Sequence, residues 1–224
     1  MSKINGEIGK LPRLICLSGI DGSGKTTAAE HIAGKLREAG YAVDILWLRY
    51  NHRISKPLLG FCRAVGLTRY TYSDGYRVGY HDFHRSQIVS WMFVWLQYID
   101  ALLVRYFVIL PRIVRKNRVV VVDRYVYDIL IDIVIDTHIT RLGETRIGRA
   151  FKSLMPRDSV VILIDRACPT VCAARPQNRL DKTFACRYRL YKELSADPMV
   201  NTVSNDGPLQ TLFDSLEQYL GLKR

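Results

Sequence analysis

Two short stretches of this 224-residue chain hold the residue types that handle phosphate. In GIDGSGKTT, residues 19–27, the spacing G-x-x-x-x-G-K-[ST] follows an apolar run, RLICLS, and precedes a helical pattern. Glycines at Gly19, Gly22 and Gly24 let the backbone turn so that successive amides face an anion, and the helix start adds a favourable dipole. Lys25 would reach the β- and γ-phosphates of a nucleotide, the Thr26 hydroxyl would ligate Mg2+, and Asp21, Ser23 and Thr27 complete the cradle. The second stretch, VVVVDRY at 119–125, ends an apolar strand in Asp123, suited to Mg2+ or its waters, and Arg124, able to fork onto a phosphate. By itself an Asp-Arg at a strand end is a solvated turn; beside the glycine loop it completes a site for ATP and Mg2+.

Such a site needs a sheet to carry it. Five β-rich runs, 13–18, 41–48, 118–123, 159–165 and 199–204, are continuously apolar, the pattern of strands buried on both faces. Helical stretches at 26–39, 54–65, 86–116, 180–196 and 208–220 separate them, with Pro111 inside the third. With no hairpin signal, the reading is an α/β fold: one domain over 1–224, a five-stranded parallel sheet flanked by helices. Two connections, 49–85 and 137–157, are longer than that fold requires, and both follow strand ends, where open α/β sheets bind ligands.

A formal charge of +12 favours anionic partners without choosing among them. Five cysteines without a CxxC pair exclude a disulfide framework and a zinc ribbon, so the thiols read as reduced, in a cytoplasmic protein. The first residues read as a short polar leader. Ile88–Leu110 has the length of a membrane span, but Gln97, Asp100 and Arg105 interrupt it, so a buried helix with a polar strip facing a site is expected instead.

The stretches LSGIDGSGKTT, ILPRIVRKNRVVVVDRYVYD, MPRDSVVILIDRACPTVCAAR, YRLYKELS and VSNDGPLQTLFDSLEQYL resemble, in order, the thymidylate kinase family. The resemblance implies the nucleoside-monophosphate kinase type of P-loop NTPase fold, with a mobile lid, and ATP:nucleoside-monophosphate phosphotransfer with Mg2+. It places the lid at about 175–182, with Arg175 and Arg179 reaching the transferring phosphate, and Arg49 on the acceptor's phosphate. It also implies pairing of two copies through the long helix, where Trp91, Phe93 and Trp95 suit an interface or a core. Family members with a basic residue inside the loop differ here, since this loop reads Asp21-Gly22-Ser23; the lid must supply the charge.

The acceptor side departs from the family. RYNHRISKP replaces a Pro-Gly-Gly-Thr type loop, Asp100-Ala101 stands where an arginine is expected, and Asp128 replaces a small hydroxyl residue with Asp132 one turn later. Gln97, Asp100 and Asp128 are therefore candidate acceptor contacts, their carboxylates suited to hydroxyl or amino groups. Alternatively, Asp128 and Asp132 only pair with Arg146 or Arg149. Three functions stay open: a kinase of dTMP or a related nucleotide; a kinase of a nucleoside, sugar or other hydroxylated metabolite; and an ATP-binding protein gripping nucleic acid or an anionic membrane through the Arg/Tyr-rich 49–85 segment. The third lacks a helicase-like or GTPase-like second motif.

Overall fold

The computed structural model describes residues 11–49, 52–73 and 76–222; the polar leader lies outside them. In chain order the elements are β1 (Leu14–Ser18), α1 (Lys25–Glu38), β2 (Ala42–Trp47), α2 (Lys56–Ala64), β3 (Thr68–Ser73), β4 (Tyr76–His81) and α3 (Gln87–Val104). A π-helical stretch, Arg105–Ile109, joins α3 to α4 (Leu110–Ile113). There follow β5 (Arg118–Asp123), α5 (Val126–Thr137), α6 (Arg146–Lys152), β6 (Ser159–Asp165), α7 (Cys168–Ala174), α8 (Phe184–Leu194), β7 (Val200–Ser204) and α9 (Leu209–Tyr219).

Five strands form one parallel sheet in the order β2-β5-β1-β6-β7. The two-residue period of a strand divides the core. Ile15, Leu17, Val119 and Val121 face one way, onto Ile32 and Leu36 of α1 and Leu212 and Leu216 of α9. Leu14, Cys16, Val120 and Val122 face the other, toward Val94 and Ala101 of α3 and Leu130 and Ile133 of α5. Each side chain moved from water to these layers contributes about 1.5–3 kcal/mol.

Three expectations change. The run at 41–48 is not buried on both faces: β2 is an edge strand, with Trp47 60% exposed and Asp44 paired to Arg118 at 2.6 Å. Residues 68–81 form an antiparallel hairpin, β3 with β4, outside the main sheet. The helix expected over 86–116 changes at Arg105–Ile109, because Pro111 has no N–H for the Phe107 carbonyl and its ring crowds that turn.

Among the described residues one helix, Gln87–Ile113, is long and apolar enough to cross a membrane. It is packed as a core helix along the Val89, Phe93, Gln97, Asp100 and Val104 side. Ile88, Trp91, Met92 and Trp95 are exposed on its other side, around a shallow cavity of about 560 Å3.

Candidate functional site

The loop from Gly19 to Thr26 joins the central strand β1 to α1. Gly19 lies at φ 143° with a neighbouring carbonyl, that of Ile164, 2.6 Å from where a Cβ would stand. Gly24 lies at φ 101°, and its Cβ would fall 2.5 Å from Asn205 Nδ2. Neither position accepts a side chain. Donors from the loop and from outside it hold its carbonyls: Lys25 Nζ and Ser23 N donate to Ile20 O at 2.7 and 3.1 Å, Asn178 Nδ2 to Asp21 O at 2.9 Å, Arg166 Nη1 to Gly22 O at 3.0 Å, and Asn205 Nδ2 to Ser23 O at 2.7 Å. The loop's left-handed glycines, Gly19, Gly22 and Gly24, give the backbone the turns by which successive amides can face an anion. The first helical bond runs from Ala28 N to Gly24 O, so the amides of Lys25, Thr26 and Thr27 precede it without a helical acceptor.

Lys25 is buried, not exposed, at 5%. Burial, with the Arg124 guanidinium adding to it, brings the ammonium down to about 7. At the end of β5, Thr26 Oγ1 donates to Asp123 Oδ2 at 3.2 Å, while Asp123 Oδ1 is buried without a hydrogen-bond partner. One hydroxyl and one under-used carboxylate are the protein ligands a Mg2+ ion takes when phosphates and waters supply the rest. Among the described residues no cluster of three or more His, Cys, Asp or Glu is placed to hold a metal by itself.

Arg124 follows Asp123 in the left-handed region, φ 68°, with its amide on Leu17 O at 2.9 Å. That turn, costly for a residue with a Cβ, sends its guanidinium back under the loop to Asp21. A chain of alternating charge results. Asp128 meets Arg124 at 3.3 Å, Arg124 meets Asp21, Asp21 meets Arg49 at 2.9 Å, Arg49 meets Asp132 at 3.4 Å, and Asp132 meets Arg187 of α8. At the buried end the Tyr191 hydroxyl donates to Asp128 at 2.6 Å and accepts from Arg124 at 3.0 Å. Burial pushes the Asp128 carboxyl up against the pull of Arg124. Burial also acts upward on Asp21 and Asp132, but Arg124 and Arg49 for the first, Arg187 and Arg49 for the second, outweigh it and hold both below the ordinary carboxylate value.

The partners of Asp128 and Asp132 are thus Arg124, Arg49 and Arg187, not Arg146 or Arg149. Asp128 also closes the first turn of α5, accepting from Tyr125 N at 3.4 Å. Asp100 is bonded to the backbone that follows β2. Its carboxylate accepts from Arg53 N, Ile54 N, Ser55 N and Ser55 Oγ at 3.0, 2.7, 3.1 and 2.6 Å. Gln97 Nε2 donates to His52 Nδ1 and Ser55 Oγ at 2.7 and 2.9 Å. The polar strip of α3 therefore ties down the segment that follows β2.

Arg175 ends α7 with its guanidinium 3.9 Å from Asp21 and 59% exposed, beside the loop. Arg179 is exposed, in the segment after α7. The hairpin touches this segment: the Tyr80 hydroxyl donates to Leu180 O at 3.4 Å and accepts from Lys182 N at 3.2 Å. Sequence reasoning missed Asn178, Asn205, Arg166 and Arg187. Arg187 and Tyr191 stand four apart in RYRLYKEL, a spacing that could have put both on one helix face. No family model matches the chain, and no curated protein matches it at a significant level.

Proposed function

We propose that the chain is an ATP- and Mg2+-dependent phosphotransferase of the thymidylate-kinase type, a P-loop kinase acting on a small-molecule acceptor. The observation that carries the reading is the Thr26 hydroxyl on Asp123, whose second oxygen is orphaned, beside a glycine loop whose following amides lack helical acceptors. Mg2+ bound there would neutralise charge on the transferring phosphoryl group. Thr26 and Asp123 would be its protein ligands. The loop amides and Lys25 would hold the β- and γ-phosphates of the nucleotide, the ammonium exchanging the Ile20 carbonyl for a phosphate. Arg175 swings in from the lid with its charge and excludes water. Arg124 and Arg49, tied to Asp21, join this loop to the acceptor side.

The family resemblance points to a nucleoside monophosphate, dTMP or a relative, as acceptor, and to pairing of two copies through the exposed Trp91 and Trp95 of α3. The nucleotide half is tested by titration calorimetry with MgADP. Binding is expected in the wild type, with a large loss on removing Mg2+ by EDTA or on Thr26→Ala. Binding indifferent to both would remove the metal-side assignment.

A further inference from the structure

We propose that the outer face of α2 rests on an anionic lipid bilayer and holds the protein there reversibly, a surface property that stands apart from the phosphotransferase reading. One side of α2 fixes it to the body. Leu58 and Cys62 are buried, Ser55 is tied to Asp100 of α3 through its amide and its hydroxyl, and β3 packs against the helix. The side turned away from the body is apolar as well. Ile54, Phe61 and Val65 are 46%, 57% and 52% exposed, and Pro57 is exposed with them. Their spacings of three, four and four follow the helical period, and Val65 N bonds Phe61 O at 3.0 Å. Pro57, Phe61 and Val65 therefore stand one above another as a stripe, with Ile54 just ahead of the helix.

Charge selects what covers the stripe. Residues 52–73 carry Arg53, Lys56, Arg63 and Arg69 and no Asp or Glu. Arg69 is answered by Asp82, and Asp100, the carboxylate beneath the segment, is buried and spent on the amides of 53–55 and the Ser55 hydroxyl. Arg53, Lys56 and Arg63 are exposed and, among the described residues, form no ion pair; Arg63 lies over the Tyr70 ring at 5.3 Å. Lys56 and Arg63, seven apart, share a second line on the helix beside the apolar one. A second copy meeting this face with its own α2 would set like charges against each other with no carboxylate between them. A nucleic acid would answer the cations and leave Ile54, Phe61 and Val65 against phosphates. An anionic bilayer answers both lines, its headgroups taking the cations while the stripe enters the acyl boundary. The exposed side of α3 differs, since residues 86–104 hold no Lys or Arg.

The anchor is small: one short helix with an apolar line and a few cations beside it. Its electrostatic part is screened beyond a Debye length, so attachment is reversible and weakens as salt rises.

The test is co-sedimentation of the full chain with large vesicles of phosphatidylcholine, alone or with about a third phosphatidylglycerol. Binding to the anionic vesicles should be at least about tenfold tighter than to the neutral ones and should fall as salt is raised. Lys56→Glu and Phe61→Ser should each weaken it about tenfold or more, one by reversing a charge and the other by removing the largest inserting side chain. Lys56 is the first residue of α2, where a glutamate suits the helix dipole, so weaker binding there is not a failure to fold; urea midpoints check both variants. Trp95→Glu, on the exposed side of α3, should bind vesicles as the wild type does. No binding, equal binding to the two vesicle types, binding indifferent to Lys56→Glu and Phe61→Ser, or binding lost in Trp95→Glu overturns the proposal. So does tighter binding to single-stranded DNA that Phe61→Ser leaves intact, which marks a nucleic-acid surface. Self-association by light scattering that Phe61→Ser abolishes marks a contact between copies and overturns it as well.

Discussion

Removing the Asp100 carboxylate should damage the fold more than the chemistry. It accepts three backbone amides and one hydroxyl, from Arg53, Ile54 and Ser55, and is itself 3% exposed. Hydrogen bonds to a charged group contribute about 1.5–3 kcal/mol each, and a buried donor left without a partner costs about 1–3 kcal/mol. The four do not add. Arg53 and Ile54 are exposed residues whose amides can turn to water, whereas Ser55 is fully buried and its amide and hydroxyl cannot. Counting those two in full and the others in small part gives a loss of about 3–5 kcal/mol for Asp100→Ala. With a urea slope of about 2–3 kcal/mol/M, the unfolding midpoint should fall by about 1–2.5 M. Asp100→Asn keeps one acceptor oxygen and should lose roughly half as much. Urea unfolding followed by circular dichroism measures both, and MgADP calorimetry on the Asn variant should give the wild-type affinity. A midpoint unchanged in Asp100→Ala, or MgADP binding lost in a folded Asn variant, refutes the assignment of Asp100 as the anchor of the 53–55 segment.

Arg175→Ala should lower kcat by about a hundredfold with ATP affinity nearly unchanged, and Arg179→Ala by less, since only Arg175 lies near Asp21; steady-state kinetics on both variants ranks them. Asp136→Asn should stabilise the protein at pH 7. Burial, with Asp132 adding to it, raises the Asp136 carboxyl well above its unfolded value near 3.8, so folding at neutral pH takes up a proton or strands a charge. The gain, on the order of 1 kcal/mol, should vanish as pH falls below about 4, where folded and unfolded chains both bind the proton; thermal unfolding across pH 3–8 reads it. Trp95→Glu should give a monomer by light scattering if the exposed face of α3 pairs two copies, because a buried unpaired charge opposes association.

How far the sequence reveals such a site depends on whether its physics is local. The glycine loop and Asp123 were legible because backbone turning, helix start and strand end are properties of neighbouring residues, and β1, β5 and β6 were legible as unbroken apolar runs. The hairpin was legible too but passed over. Thr68 to His81 alternates around Asp74-Gly75, a turn dipeptide, and the alternation is of aromatic and polar residues with Val78 its one aliphatic. Helix α5 is harder, since VYDILIDIVID is rich in β-branched residues and only the four-residue spacing of its aspartates marks the helical period. The roles of Asp100 and Asp132 were out of reach. Both are carboxylates on the acceptor side of the chain order, and what separates an anchor from an open site residue is which distant segment meets it: amides of 53–55 for one, guanidiniums from β2's end and α8 for the other. Arg187 was hidden for the same reason.

The central claim is that the Gly19–Thr26 loop holds the phosphates of a nucleotide and passes one on. Single-turnover transfer from [γ-32P]ATP with Mg2+ to a panel of acceptors, nucleoside monophosphates together with nucleosides and sugars, compared between wild type and Lys25→Ala, tests it most directly. Labelled acceptor should form with the wild type, and its rate should fall by about a thousandfold in the variant while the urea midpoint stays level or rises, since a buried ammonium is removed. Equal rates in the two proteins, or no label in any acceptor from a wild type that hydrolyses ATP freely, would contradict the account.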